Sequence, residues 1–173
     1  RGLPTLTFAL HYWRAGGLAD PATFKATNIL IHVLTVGALA WFFRSLLSAA
    51  GLAPRRANGF AIALALAWGL HPLQVSSVLY AVQRLQTMGT LFLVLALVSY
   101  LHARRAQMQG KPARSGLLLT LFAWVLAMGC KEDSVLLPLY ALALELTVLR
   151  FAAADPRTTR LMRRGYLAAS VLG

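Results

Sequence analysis

Acidic residues are scarce in this chain. Five Asp and Glu stand against seventeen Lys and Arg, a formal net charge of +12 over 173 residues. Cysteine is scarcer still: Cys130 stands alone, so no internal disulfide forms, and cysteine usage says nothing about compartment. The sequence also lacks metal-ligand spacings, a glycine-rich phosphate loop, a Ser/His/Asp order and a CxxC pair. None of the four histidines has a carboxylate or cysteine at ligand spacing. There is no internal repeat and no low-complexity tract. Charged residues of all kinds reach only 13%, about half of the roughly 25% usual in soluble domains. With 58% hydrophobic residues and a mean hydropathy of +0.64, the composition argues against a soluble helical bundle. Such a bundle would need more polar residues to cover its core.

Apolar runs predict helices at 27–48, 57–72, 85–103, 116–130 and 134–150, and the start of another at 165. This is an all-α, polytopic membrane architecture of five spans plus the start of a sixth. Segments 59–70 and 117–130 fall below the ~20 residues a straight span needs. They suffice only if their polar ends count, or if the first is a broken helix. Twelve of the seventeen basic residues fall in alternate connections: Arg44, Arg55, Arg56, Arg104, Arg105, Lys111, Arg114, Arg150, Arg157, Arg160, Arg163 and Arg164. Arg1, Arg14, Lys25, Arg84 and Lys131 take the other side. That asymmetry makes the basic loops cytoplasmic. It accounts for the net charge through topology and contact with anionic head groups, and so excludes nucleic acid as a partner. The expected location is a bacterial inner membrane.

In this layout, 1–26 is an external interfacial loop, with Gly16-Gly17 and Asp20-Pro21 as turn signals. Segment 27–150 holds five spans, 151–164 is a basic cytoplasmic loop, and 165–173 begins a further span. The chain opens at Arg1 and stops at Gly173 inside an apolar run, which reads as a fragment of a longer protein. A kink or break is expected at His71-Pro72, because proline removes a backbone donor. Val75, Val78, Leu79, Val82 and Leu85 beyond it predict one amphipathic helix, at the outer surface or facing the bundle interior.

Two polar clusters sit where apolar spans end on the side with few positive charges. They are His71-Pro72-Leu73-Gln74, running on to Gln83-Arg84, and Cys130-Lys131-Glu132-Asp133-Ser134. Ionisable residues at the mouth of a membrane bundle usually handle something polar. Arg84 and Lys131 are candidates for binding an anionic group such as a phosphate. Arg84 equally suits snorkelling to lipid. His71 is a weak catalytic candidate, since a lone histidine beside a proline kink is more often a structural hydrogen-bonding residue. Gln74, Gln83, Glu132 and Asp133 are candidate pocket residues, with helix capping the leading reading for Asp133. Glu145 is deep in its helix, and a structural role facing Arg150 is favoured.

Three stretches together resemble the polytopic glycosyltransferases of the GT-C fold. They are Arg1-Gly2-Leu3-Pro4-Thr5-Leu6-Thr7-Phe8 leading to Asn28 and His32; His71-Pro72-Leu73-Gln74 with Gln83-Arg84; and Lys131-Glu132-Asp133 followed by Leu136-Leu137-Pro138. The nearest resemblance is to bacterial TPR-containing membrane proteins and the transmembrane-and-TPR O-mannosyltransferases. It covers nearly the whole chain, and its specificity comes from the motifs occurring together. The resemblance implies transfer of a sugar from a polyprenyl-phosphate donor to a hydroxyl on a protein or glycan at the non-cytoplasmic face. The lipid-linked sugar is then the donor substrate, and no separate cofactor is evident. Arg84 and Lys131 would hold the donor phosphate in a preorganised site, while His71 and Gln74 shape the pocket. The general base of such enzymes lies in the first external loop, and Asp20, in a turn before proline, does not fit it. The pattern departs at Ser76 and Ser77, where the mannosyltransferases carry a glutamate. Two other classes fit the helix pattern: a transporter or flippase of an anionic lipid or solute, and a non-catalytic membrane anchor of a TPR protein.

Overall fold

The computed structural model describes residues 2–14, 21–80, 83–157, 159–162 and 164. Regular structure among them is entirely helical, as expected. In chain order the helices are α1 (Gly2–Arg14), α2 (Pro21–Ala49), α3 (Pro54–Gly69), α4 (Gln74–Leu79), α5 (Arg84–Met108), α6 (Arg114–Cys130) and α7 (Leu137–Leu144). A 3-10 turn, Glu132–Leu136, leads into α7, and a π-helical turn, Glu145–Leu149, follows it. Asp20, the Gly16-Gly17 turn and the expected span from 165 lie outside the described residues.

Prolines start helices here more often than they break them. Pro21 opens α2, and Pro54 and Pro138 sit in the first turns of α3 and α7. At those positions the missing N–H has no intrahelical partner to lose. Within the segment expected as external over 1–26, the apolar stripe of Leu3, Leu6, Ala9 and Leu10 falls in α1, and α2 already runs from Pro21, ahead of the span expected from 27. Two connections turn on glycines with positive φ, Gly51 at 90° after α2 and Gly110 at 70° after α5. That backbone region is open to glycine at little cost.

Helix α2 packs on α3 and α5, and α5 packs on α6. The main apolar cluster joins Ala96, Leu97, Tyr100 and Leu101 of α5 to Ala123 of α6 and to Leu137, Ala141 and Leu144 of α7. On α3 and α6 large and small residues are distributed in reverse of a soluble bundle. On α3 the buried residues are Ala57, Ala61 and Ala65, while Phe60, Ile62, Leu64 and Leu66 are exposed. On α6 the buried face is Ala123, Ala127 and Cys130, while Leu118, Leu119, Leu121, Phe122 and Val125 point outward. A side chain at Gly116 of α6 would meet the Ala103 backbone of α5, its Cβ coming within 3.2 Å of the Ala103 Cα. Small residues at seams let helix backbones approach closely, as they do between helices surrounded by lipid.

Among the described residues, two helices are long and apolar enough to cross a membrane: α2 from Ala22, at mean hydropathy 1.7, and α5, at 1.5. Helix α6 is apolar but shorter, and α3 has 16 residues. The stretch expected as one span over 134–150 is divided among a 3-10 turn, an α-helix of 8 residues and a π turn.

Candidate functional site

The break at His71-Pro72 is present. Helix α3 ends at Gly69, and α4 does not begin until Gln74. The single amphipathic helix expected beyond it is instead two helices. Tyr80 adopts an extended conformation with ψ 126°, ending α4, and α5 starts afresh at Arg84. Asn28 of α2 holds that interruption, its Nδ2 donating to the Tyr80 carbonyl at 3.2 Å.

Glycine sets the approach of α3 to α2. A side chain at Gly69 would collide with Val36. Without one, the Gly69 carbonyl accepts the Nε2–H of His32 at 2.9 Å. This bond fixes the tautomer of a neutral ring, leaving Nδ1 as an acceptor. That Nδ1 is buried and has no hydrogen-bond partner among the described residues. Trp68 stacks on the other side of the arrangement, its ring centroid 5.6 Å from that of His32.

These groups form one wall of a cleft of about 460 Å³. The opposite wall comes from Gln86, Thr87 and Thr90 of α5, and Asp133 and Tyr140 complete it from the 3-10 turn and α7. Gln74 and Leu73 sit at its mouth from the broken segment. Lys131 reaches the rim from between α6 and the 3-10 turn. Its Nζ donates to Gln86 Oε1 and pairs with Asp133 Oδ2 at 2.8 Å. Trp124 clamps the turn behind it by donating from Nε1 to the Ser134 carbonyl at 2.7 Å. Two amides, hydroxyls, a carboxylate, an ammonium and an indole thus converge on one concavity. Such a combination suits a polyhydroxylated ligand with an anionic end.

The structure divides the residues expected at the site. Gln74 and Asp133 line the cleft, and Lys131 is bonded to its wall. Asp133 stands with Glu132 at the start of the 3-10 turn, where an acidic side chain faces free amides, and it also pairs with Lys131. His71 is exposed and lines a smaller apolar slot of about 290 Å³, which shares His32 and Gln74 with the cleft. Its Nδ1 accepts the Leu73 N–H at 3.3 Å, which stabilises the turn at the break. Gln83 is half-buried just before α5, its backbone N–H bonded to the Tyr80 carbonyl at 3.1 Å, and Glu132 is exposed. Neither is on the cleft wall.

Arg84 departs from its expected place. It is 0% exposed. Nε donates to Asn28 Oδ1 at 2.9 Å, one terminal nitrogen to the Phe24 carbonyl at 3.2 Å and the other to Thr7 Oγ1 at 3.4 Å. The guanidinium lies 4.5 Å from the Phe8 ring centroid and 5.2 Å from that of Phe24. Three of its five N–H donors are bonded to α1 and α2 and two phenyl rings lie against it; fully buried, it gives a phosphate no approach without opening that cage. The donor-phosphate role expected of Arg84 is corrected to a clasp that fastens α1 and α2 to the start of α5.

A second polar centre lies at the other end of α5. Arg104 and Glu145 are both buried. Arg104 Nε meets Glu145 Oε1 at 2.5 Å and a terminal nitrogen meets Oε2 at 3.1 Å. Tyr100 donates to the same carboxylate at 2.7 Å. The Phe151 N–H bonds Glu145 Oε2 at 3.1 Å, and Arg104 also donates to the Ala152 carbonyl at 2.8 Å. These bonds hold Arg150 and Phe151, which have positive φ of 54° and 56°, a conformation L-residues adopt only when the surroundings impose it. Glu145 is structural, as expected, but its partner is Arg104 rather than Arg150. The basic stretch predicts Arg104 in a loop, whereas it lies within α5. Among the described residues no group of three or more His, Cys, Asp or Glu is placed to hold a metal. Comparison with protein-family models, curated proteins and solved structures finds no match to this chain.

Proposed function

We propose that this chain is the membrane part of a glycosyltransferase that uses a polyprenyl-phosphate sugar, with its donor head in the cleft beside Lys131. The observation that carries the reading is the cleft itself. A sugar presents hydroxyls that donate and accept, and Gln74, Gln86, Thr90, Asp133 and Tyr140 offer both kinds of partner. Trp68 offers an apolar face for a ring. Lys131, side-chain exposure 38%, is accessible to a phosphate at the rim, where a charge-assisted bond is strong.

Embedding in a bilayer supports the same reading. The outward-facing Leu, Ile and Phe of α2, α3 and α6 would be costly in water and are suited to lipid chains. In this reading α3 and α6 cross as short, polar-ended spans, and the five-span arrangement places the cleft on the non-cytoplasmic side by the distribution of basic residues.

The test is sugar transfer by membranes containing the protein, offered a panel of polyprenyl-phosphate sugars and a hydroxyl acceptor. One donor is expected to react. Lys131→Ala is expected to lower its use about tenfold to hundredfold, the range for losing a hydrogen bond to a charged group. Transfer that is indifferent to Lys131→Ala and to Gln86→Ala would remove the cleft from the donor site. Movement of lipid or solute across vesicles without transfer would favour the transporter.

A further inference from the structure

A second concavity lies between α2 and α3 at the end of the bundle away from the cleft. It has a volume of about 370 Å³ and is lined by Ala40, Trp41, Arg44, Asn58, Ala61 and Ile62. No carboxylate is on its wall. Arg44 and Asn58 have no hydrogen-bond partner among the described residues. The polar pair sits above an apolar trough: Trp41 and Ile62 flank it and the buried Ala61 forms its floor. Trp41 is held edge-on by His102 of α5, with ring centroids 5.5 Å apart.

The position of the polar groups matters. Arg44 is five residues before the end of α2, and Asn58 four residues after the start of α3. At 1.5 Å per residue both sit about 6–8 Å inside the helix ends, which is head-group depth for a helix that spans a bilayer. Arg55, exposed and three residues before Asn58, shares its helix face and adds a cation just above. The first turn of α3 has no side-chain cap, so its free amides add positive potential there. A free phosphate would satisfy the cations but leave Trp41 and Ile62 facing water. An uncharged lipid would cover the trough but leave Arg44 unpaired.

We infer that this groove holds one anionic phospholipid, with its phosphate on Arg44 and Asn58 and an acyl chain along Trp41, Ala61 and Ile62. The site goes beyond the general attraction of basic loops to an anionic surface, since it binds one lipid between two named helices. It rests on the membrane reading above and is independent of any sugar transfer.

The test is native mass spectrometry of the full chain in detergent, with equal phosphatidylglycerol and diacylglycerol, which has the acyl chains but no phosphate, added. The chain is expected to retain phosphatidylglycerol preferentially. Arg44→Gln is expected to reduce that retention about fivefold, which corresponds to the ~1 kcal/mol a basic residue contributes near an anionic surface. Asn58→Leu lowers it as well. Arg114→Gln, which removes an exposed cation at the same end but outside the groove, leaves it unchanged. Excess inorganic phosphate does not displace the lipid. Circular dichroism of Arg44→Gln matches that of the unaltered chain, so the loss is not unfolding. Equal losses in Arg44→Gln and Arg114→Gln would overturn the site in favour of diffuse attraction. Displacement by inorganic phosphate would overturn the role of the acyl chain. Retention of neither lipid by the unaltered chain would overturn the site together with the membrane reading.

Discussion

Helix α5 carries a buried arginine at each end, and the two solve the same problem differently. Arg84 and Arg104 are 0% and 1% exposed and 20 residues apart. At 1.5 Å per residue that is about 30 Å, the thickness of a hydrocarbon core. Arg104 is answered by the carboxylate of Glu145, gripped by two of its nitrogens. Arg84 meets no carboxylate among the described residues. It is satisfied by an amide oxygen, a carbonyl, a hydroxyl and two phenyl faces. One end is thus a closed ion pair, while the other is a cation solvated by neutral groups. The difference predicts which centre is brittle. Removing one partner of the pair strands a buried charge, whereas removing Arg84 strands only neutral acceptors.

That contrast can be broken by experiment. Glu145→Ala should have the largest effect, a loss of about 3–5 kcal/mol for an uncompensated buried charge, measured by thermal unfolding in detergent. Arg84→Met should cost less, about 2 kcal/mol, from leaving the buried Asn28 oxygen and the Phe24 carbonyl without a donor. If Arg84→Met equals Glu145→Ala, the distinction between the two ends is wrong. The double change Arg104→Met with Glu145→Leu should recover most of the loss of the single one, because replacing a whole buried pair by apolar residues is often near neutral. A double variant as unstable as Glu145→Ala would show that Tyr100 and the 151–152 backbone depend on the pair more than on apolar packing. Trp124→Phe should be mildest, about 1 kcal/mol for one hydrogen bond. It should loosen the turn after Lys131 while leaving both arginine centres intact.

The helices were legible in the sequence because apolar runs of this length have few alternatives, but their ends were not. Pro21 and Pro54 look like turn signals when read alone, yet each stands in the first turn of a helix. Arg104 and Arg105 looked like the start of a basic loop, but α5 runs on to Met108, since arginine is a good helix former and Glu145 draws Arg104 inward. Periodicity registers a face, not a hydrogen-bond pattern, so the 3-10 and π turns flanking α7 were invisible. At the candidate site, the clustering of Gln74, Lys131 and Asp133 followed from their position at helix ends. The cage of Arg84 did not, because its partners lie 56 to 77 positions away. A lone histidine in an apolar run, as His32 is, carries no signal of a site. Its place in the cleft depends on a contact with Gly69, 37 residues distant.

The small-residue seams have a consequence for how the chain comes together. Helices α2 and α3 are joined by a short turn and close on each other through Ala57, Ala61 and Ala65. Helices α5 and α6 close likewise through Gly116 and Ala103. Each is a hairpin with its own contact surface, which needs nothing from the other. The cleft belongs to neither hairpin. His32 and Trp68 come from one and Gln86 and Thr90 from the other, so it exists only once α2 has docked on α5. A chain with both hairpins intact but docked one turn out of register would keep its helicity and lose its cleft. Helical content therefore reports hairpin formation, and ligand binding alone reports assembly.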